Sequence, residues 1–132
     1  MAQDTILGDL QLAIMRVLWN RGEAASADVH VALEEERGLA PTTISTMLKK
    51  MEDKGVVTHR TEGRRFVYRP TITESQVKRS MVGELTEQLF GGNTAALVSH
   101  LVAEHEIDRD ELERLQSLLD QGTESQQIDE EG

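Results

Sequence analysis

The sequence predicts a mostly α fold with a small β-hairpin wing: a winged helix-turn-helix domain followed by a three-helix C-terminal dimerisation region. Three observations predict it. Three amphipathic stretches, each closed by a glycine, fill the first 55 residues. The hydrophobic period then drops from 3.6 to 2 across two short runs rich in β-branched and aromatic residues. Beyond Pro70 the charge turns acidic, and three further helical stretches follow with no proline.

In the first stretch Leu10, Ile14, Val17 and Leu18 fall at helical spacing, and Leu12, Met15 and Trp19 widen the apolar face. Gly22 ends it. Ser26 is placed to cap a second helix, with Asp28 in the first turn where a carboxylate suits the helix dipole. Val29, Ala32 and Leu33 form its apolar stripe, and Gly38 stops it. Pro41 opens a third helix, since its missing N–H costs nothing in a first turn. Ile44, Met47, Leu48 and Met51 make the inward face; Thr42, Thr43, Ser45, Thr46, Lys49 and Lys50 make the other. Two helices joined by a short turn containing Gly are a helix-turn-helix arrangement. Residues 56–60 and 65–69 then read as strands flanking Thr61-Glu62-Gly63-Arg64, a hairpin with Gly at its tip.

After Pro70, Thr73 with Gln76 forms a capping box for a helix carrying Val77, Met81, Leu85 and Leu89. Gly91-Gly92 break it, and Asn93 caps a helix with Leu97, Val98, Leu101 and Val102. Asp108 with Glu111 opens a last helix bearing Leu112, Leu115, Leu118 and Leu119. Packed alone, these three helices make a thin core, so Met81, Leu85, Leu89, Leu97, Leu101, Leu112, Leu115 and Leu119 are expected to pair with a second copy. The resulting division is 1–70 for the winged helix, 71–121 for the helical dimerisation region and 122–132 for a disordered acidic tail.

The formal net charge of −10 is unusual for a protein with a nucleic-acid partner. The placement of the charges points the other way. Residues 1–80 carry 12 Lys/Arg against 11 Asp/Glu, and residues 81–132 carry 2 against 13. Within 41–69 the balance is 7 against 3, a basic block whose field is local, because salt screens exposed charges beyond about 8 Å. The third helix is the candidate reader of base edges: short Thr side chains allow close approach, and a Thr methyl can rest on thymine. Lys49 and Lys50 would then reach phosphates. A solvated helix face has the same composition, and the hairpin is what favours the DNA reading. Arg64 and Arg65 at the hairpin are the second DNA-binding candidates, though charge also protects an edge strand from aggregation. Phe66 and Tyr68 share one strand face and are assigned to the core rather than to base stacking.

Other function classes fare poorly. With no cysteine there are no disulfides, thiolate zinc sites or cysteine nucleophiles. No phosphate loop or nucleophile elbow is present, so no enzyme is expected and no cofactor is assigned. His100 and His105, with Glu104 and Glu106 nearby, are the one cluster to test for metal, but their i, i+5 spacing puts them on different helix faces and no metal site is assigned. The first residues, Met1-Ala2-Gln3-Asp4, lack a secretion signal's basic start and apolar run, and no stretch is long enough to span a membrane, so a cytoplasmic location is expected. The competing reading is a winged helix used as a protein–protein interaction module without DNA binding; that use calls for apolar residues on the third helix's outer face.

Residues 7–19, Ala40-Pro41-Thr42-Thr43-Ile44-Ser45-Thr46-Met47-Leu48, Lys54-Gly55-Val56-Val57 and Arg65-Phe66-Val67-Tyr68-Arg69-Pro70 resemble the penicillinase-repressor family (BlaI/MecI/CopY type), as does Glu111-Leu112-Glu113-Arg114-Leu115. The resemblance covers about residues 7–120. It implies a homodimeric repressor on a palindromic double-stranded DNA operator, released by a signal, with an upstream sensor or protease among its partners. Its recognition contacts would fall on Thr42, Thr43, Thr46 and Lys50 and its wing on Arg64 and Arg65. The chain departs from the family at His100-Leu101, where members controlling β-lactamase genes carry an Asn-Phe cleavage pair. It also lacks the C-terminal cysteines of the copper-responsive branch, and has Gly8 and Gln11 where the family often has a Thr and an acid.

Overall fold

Helix α1 (Asp9–Arg21) supplies the centre of the core: Ile14, Met15 and Leu18 are completely buried, with Leu10, Leu12, Val17 and Trp19 partly buried around them. The computed structural model describes residues 6–104 and 106–131, with side chains described to residue 121. The chain divides into two compact units, Met1–Glu84 and Leu85–Gly132.

In the first unit, α1 is followed by β1 (Ala24–Ala25), α2 (Ser26–Arg37), α3 (Pro41–Lys54), β2 (Val57–Glu62), β3 (Arg65–Pro70) and the start of α4 (Glu74–Phe90). The expected helix-helix-helix-hairpin order holds. Strand β1 was not foreseen: it pairs antiparallel with β3, Ala24 opposite Tyr68 and Ala25 opposite Val67, giving the sheet order β1-β3-β2. This pairing also moves the cap of α2. Helix α2 begins at Ser26 itself, Ala25 takes the N-cap position, and Asp28 Oδ2 accepts the Ala25 N–H at 3.2 Å. Ser26 is left free to bond elsewhere.

Helix α3 buries Ile44, Leu48 and Met51 completely, while Met47 is half-buried. The turn before it is tied to α2 by His30, whose ring Nε2 lies 2.8 Å from the Leu39 carbonyl that accepts from it. Gly55 ends α3 at φ 91°, where its N–H bonds the Met51 and Glu52 carbonyls. A side chain there would be strained at that φ.

The β2–β3 ladder runs two residues further toward the tip than the sequence suggested, through Thr61 opposite Phe66 and Glu62 opposite Arg65. A two-residue turn, Gly63-Arg64, remains, and Gly63 holds the positive φ of 65° that such hairpin turns favour. Beyond β3, the expected boundary at residue 70 is crossed by packing. Trp19 Nε1–H donates to the Ile72 carbonyl at 2.9 Å, Val77 is buried in the core, and Met81 packs against it.

The second unit contains the end of α4, helix α5 (Thr94–Ala103) and helix α6 (Arg109–Glu131). Asn93 caps α5, its Oδ1 accepting the Ala96 N–H at 3.0 Å, and Asp108 Oδ1 does the same for Glu111 N–H at 2.8 Å. The Thr73–Gln76 box is also made, with both reciprocal bonds present. Helix α6 continues to Glu131, through the stretch whose composition suggested a disordered acidic tail.

Replacing Ile44 by Ala should lower stability by about 2–5 kcal/mol, the usual cost of a buried large-to-small change. Val31, 66% exposed on α2, should tolerate Ala within about 0.5 kcal/mol. Urea unfolding at fixed protein concentration measures both.

Candidate nucleic-acid interface

Because α3 buries Ile44, Leu48 and Met51, the other side of the helix is forced outward. Thr42, Thr43, Thr46, Lys49 and Lys50 line that side, and all but the half-buried Met47 beside them are solvent-facing, as the sequence predicts. Pro41 starts the helix without a side-chain cap, leaving Thr42 and Thr43 in its first turn. Ser45 is held differently. Its Oγ donates to the Pro41 carbonyl at 3.1 Å and therefore accepts from Ser26 Oγ, 2.8 Å away. This hydroxyl pair fastens the first turn of α2 to α3.

Arg64 and Arg65 are exposed too, Arg64 in the turn and Arg65 at the start of β3. A groove of about 440 Å³ lies between the N-terminus of α2, α3 and the wing, and Ser45, Lys49, Arg64, Arg65 and Phe66 help to line it. Of the sequence-predicted DNA-binding residues, Lys49, Arg64 and Arg65 meet at this groove, whereas Thr42, Thr43, Thr46 and Lys50 are not among its lining residues. Lys49, Lys50 and Arg64 have no ion pair among the described residues.

Phe66 corrects an expectation. It does not enter the core: it is 48% exposed and stacks on the His59 ring at 4.0 Å, whereas Tyr68, on the same strand face, is buried. The alternation was right and the depth was not, because the wing extends past the helices. His59 Nδ1 in turn lies 2.7 Å from a Glu52 carboxylate oxygen, which joins β2 to the last turns of α3.

Sequence reasoning also missed a chain of exposed ion pairs along the wing. Arg60 donates to Glu23 at 2.7 Å and to Glu62 at 2.8 Å; Arg65 donates to Glu62 at 3.1 Å and lies 3.9 Å from Asp28. The direct cross-strand placement of Glu62 and Arg65 follows from the two-residue turn and was readable from it. The Arg60 hydrogen bond, then that of Arg65, holds the Glu62 carboxyl below its ordinary 4.5, and Arg60 does the same to Glu23.

His105 lies outside the described residues, so the His100/His105 pair is not placed. No group of three or more metal-ligating side chains gathers among the described residues. His100 sits against Phe90, ring centroids 5.9 Å apart. No helix among the described residues is long and apolar enough to cross a membrane. Of the residues expected to pair two copies, Met81 packs on the core of the first unit. Leu85, Leu89, Leu112, Leu115 and Leu119 are exposed, Leu89 and Leu119 by two-thirds, while Leu97 and Leu101 are half-buried.

A protein-family model described as penicillinase repressor matches residues 7–121. The chain belongs to the penicillinase-repressor family. Within that family it is 34% identical over 121 residues to the transcriptional regulator BlaI of Mycobacterium tuberculosis, covering 90% of this chain and 86% of the relative. It is 27% identical over 115 residues to the penicillinase repressor of Bacillus licheniformis, covering 87% and 90%. The solution structure of the DNA binding domain of the repressor BlaI superposes with a TM-score of 0.50 at 36% identity, covering 58% of this chain and 93% of that one. As a penicillinase-repressor family member, the chain is a winged helix with a second helical unit.

The wing ion pairs give a pH dependence with a definite sign. The carboxyls of Glu23 and Glu62 are depressed in the folded state, so the pairs contribute fully above the ordinary glutamate range. That contribution is lost as pH falls through the lowered folded values. A titration of the two carboxyls followed by NMR should give midpoints below 4.5, and Arg60→Ala should raise both. Midpoints that ignore the substitution would contradict the hydrogen bonding described.

Proposed function

We propose that this chain is a sequence-specific DNA-binding transcriptional repressor, acting in the cytoplasm as a homodimer on a palindromic double-stranded operator and released by a signal. The observation that carries this reading is the outward face of α3, three threonines ahead of two lysines without carboxylate partners among the described residues, with Lys49 sharing a groove with the wing cation Arg64. A helix of this kind enters the major groove with its first residues at the base edges. Thr42, Thr43 and Thr46 read bases; Lys49 and Lys50, further along, neutralise phosphates; Arg64 places the wing on the neighbouring backbone, with Arg65 beside it held in the wing's own ion pairs. Names of family relatives, which are repressors, support the same reading.

The division of labour follows the charge. Residues 1–70 carry the DNA-binding surface, and the dimer forms within 71–121 through Leu85, Leu89, Leu97, Leu101, Leu112, Leu115 and Leu119, Met81 being engaged on the core of the first unit. Covering a fully exposed leucine is worth about 1.5–3 kcal/mol, and association costs offset part of the sum, so a stable pair needs several of these side chains covered together. Two winged helices then meet half-sites about one helical turn apart, or a multiple of it. The protein–protein alternative wants an apolar outer face on α3, and Thr42, Thr43, Thr46, Lys49 and Lys50 provide none. An upstream sensor or protease fits the family resemblance; the pair at the family's cleavage position is His100-Leu101, on α5, so any cutting there follows a different residue preference.

Selection of bound fragments from random DNA should return a palindrome; recovery of no enriched sequence would contradict the reading. On the selected duplex, Lys50→Ala should weaken binding similarly across sequences and flatten the salt dependence by about one phosphate per half-site. Thr46→Ala should instead change the preferred base at one position, by about 1–3 kcal/mol. Leu115→Asp should shift the chain toward monomer in sedimentation and weaken binding to the full palindrome far more than to one half-site.

A further inference from the structure

The two adjacent wing arginines differ in their surroundings. Arg64 occupies the turn and has no ion pair among the described residues. Arg65 is bound into an alternating chain in which Glu23 holds Arg60, Arg60 holds Glu62, Glu62 holds Arg65, and Arg65 approaches Asp28. The members come from the segment before β1, from β2, from β3 and from the first turn of α2. Asp28 is itself fixed, because its Oδ2 accepts the backbone N–H of Ala25. Arg60 grips Glu23 with two nitrogens, at 2.7 and 3.3 Å. The chain therefore ties the free edge of the wing to β1 and α2, the elements that form the far wall of the groove beside α3.

Charge counting separates the two arginines further. Arg60 and Arg65 contribute +2 and Glu23, Asp28 and Glu62 contribute −3, so the cluster as a whole is −1. Seen from the groove within one screening length, Arg65 offers a phosphate no net attraction, since phosphate must displace a carboxylate already bonded to it. Arg64 offers a whole charge. Such exposed pairs add little to stability, because solvent screens them; their consequence lies in where the positive charge is presented.

We propose a division of labour that rests on the DNA-binding reading above. Arg64 is the wing's phosphate contact, and Arg65 is a positioning residue whose charge Glu62 and Asp28 neutralise while its guanidinium fixes the wing's angle over the groove. Glu62 is the controlling member, since it alone bonds both arginines of the chain. It keeps the wing from adding a second strong phosphate contact, which limits binding driven by charge alone.

The test compares salt slopes of the full-length protein on one duplex, selected or of random sequence, between about 50 and 200 mM salt. One phosphate contact contributes a slope of about 0.9, or about 3.5-fold in affinity over that fourfold range, and a dimer shows twice the slope. Arg64→Ala should lose that contact. Arg65→Ala should keep the wild-type slope, Glu62→Gln should steepen it by about one contact per wing, and adding Arg65→Ala to Glu62→Gln should cancel the gain. A structural role alone would move unfolding midpoints without this pattern of slopes. Arg65→Ala flattening the slope as much as Arg64→Ala, or Glu62→Gln leaving it unchanged, overturns the proposal, and the Glu62 arm decides should Arg65→Ala unfold. Wild-type protein with no salt-dependent affinity for any duplex instead overturns the DNA reading on which it rests.

Discussion

Burial of Ile44, Leu48 and Met51 fixes the rotation of α3 about its own axis, and the rest of the interface depends on that rotation. With all three side chains fully enclosed, a turn of the helix by one residue would draw Lys49 or Thr43 into an apolar core, at a cost no surface contact could offset. The outward face is thus a consequence of the inward one. Two ties reinforce the setting from either end: Ser26 to Ser45 in the first turns, and His59 to Glu52 in the last.

Charge is the second constraint. A chain of net −10 can approach a polyanion only if its positive charge is concentrated where the polyanion sits and its negative surplus lies elsewhere along the chain. Residues 81–132 hold 13 of the 24 acids. Within the winged helix, local pairing refines the pattern again. Arg60 and Arg65 are matched by carboxylates, while Lys49, Lys50 and Arg64 are not paired among the described residues. Sequence-level charge counts treat all these cations alike; hydrogen bonding divides them into those already engaged by carboxylates and those available to a partner.

Much of this was legible in the sequence because it is written in local patterns. The inward positions of α3 follow the helical period, and the caps at Thr73, Asn93 and Asp108 follow from side chains that reach backbone three residues away. What was not legible depends on distant pairing. Ala24 and Ala25 carry no strand signal, and they become a strand only because β3 offers Val67 and Tyr68 as partners; that same pairing takes the cap of α2 away from Ser26. Phe66 shows the limit of periodicity, which tells the side of a strand and not how far along it the core reaches. Val77 and Trp19 extend the first unit past Pro70 through contacts between residues more than fifty positions apart. The wing ion chain needed the register, and the register needed the length of the turn.

Whether one face built from α3 and the wing meets DNA, while the acidic helices do not, can be decided by mapping backbone amide shifts of the full-length protein as duplex DNA is added. Large changes should be confined to residues 41–54 and 57–70 and to the first turn of α2, with residues 109–121 unmoved. Changes centred on α6, or spread evenly over both units, would refute that assignment.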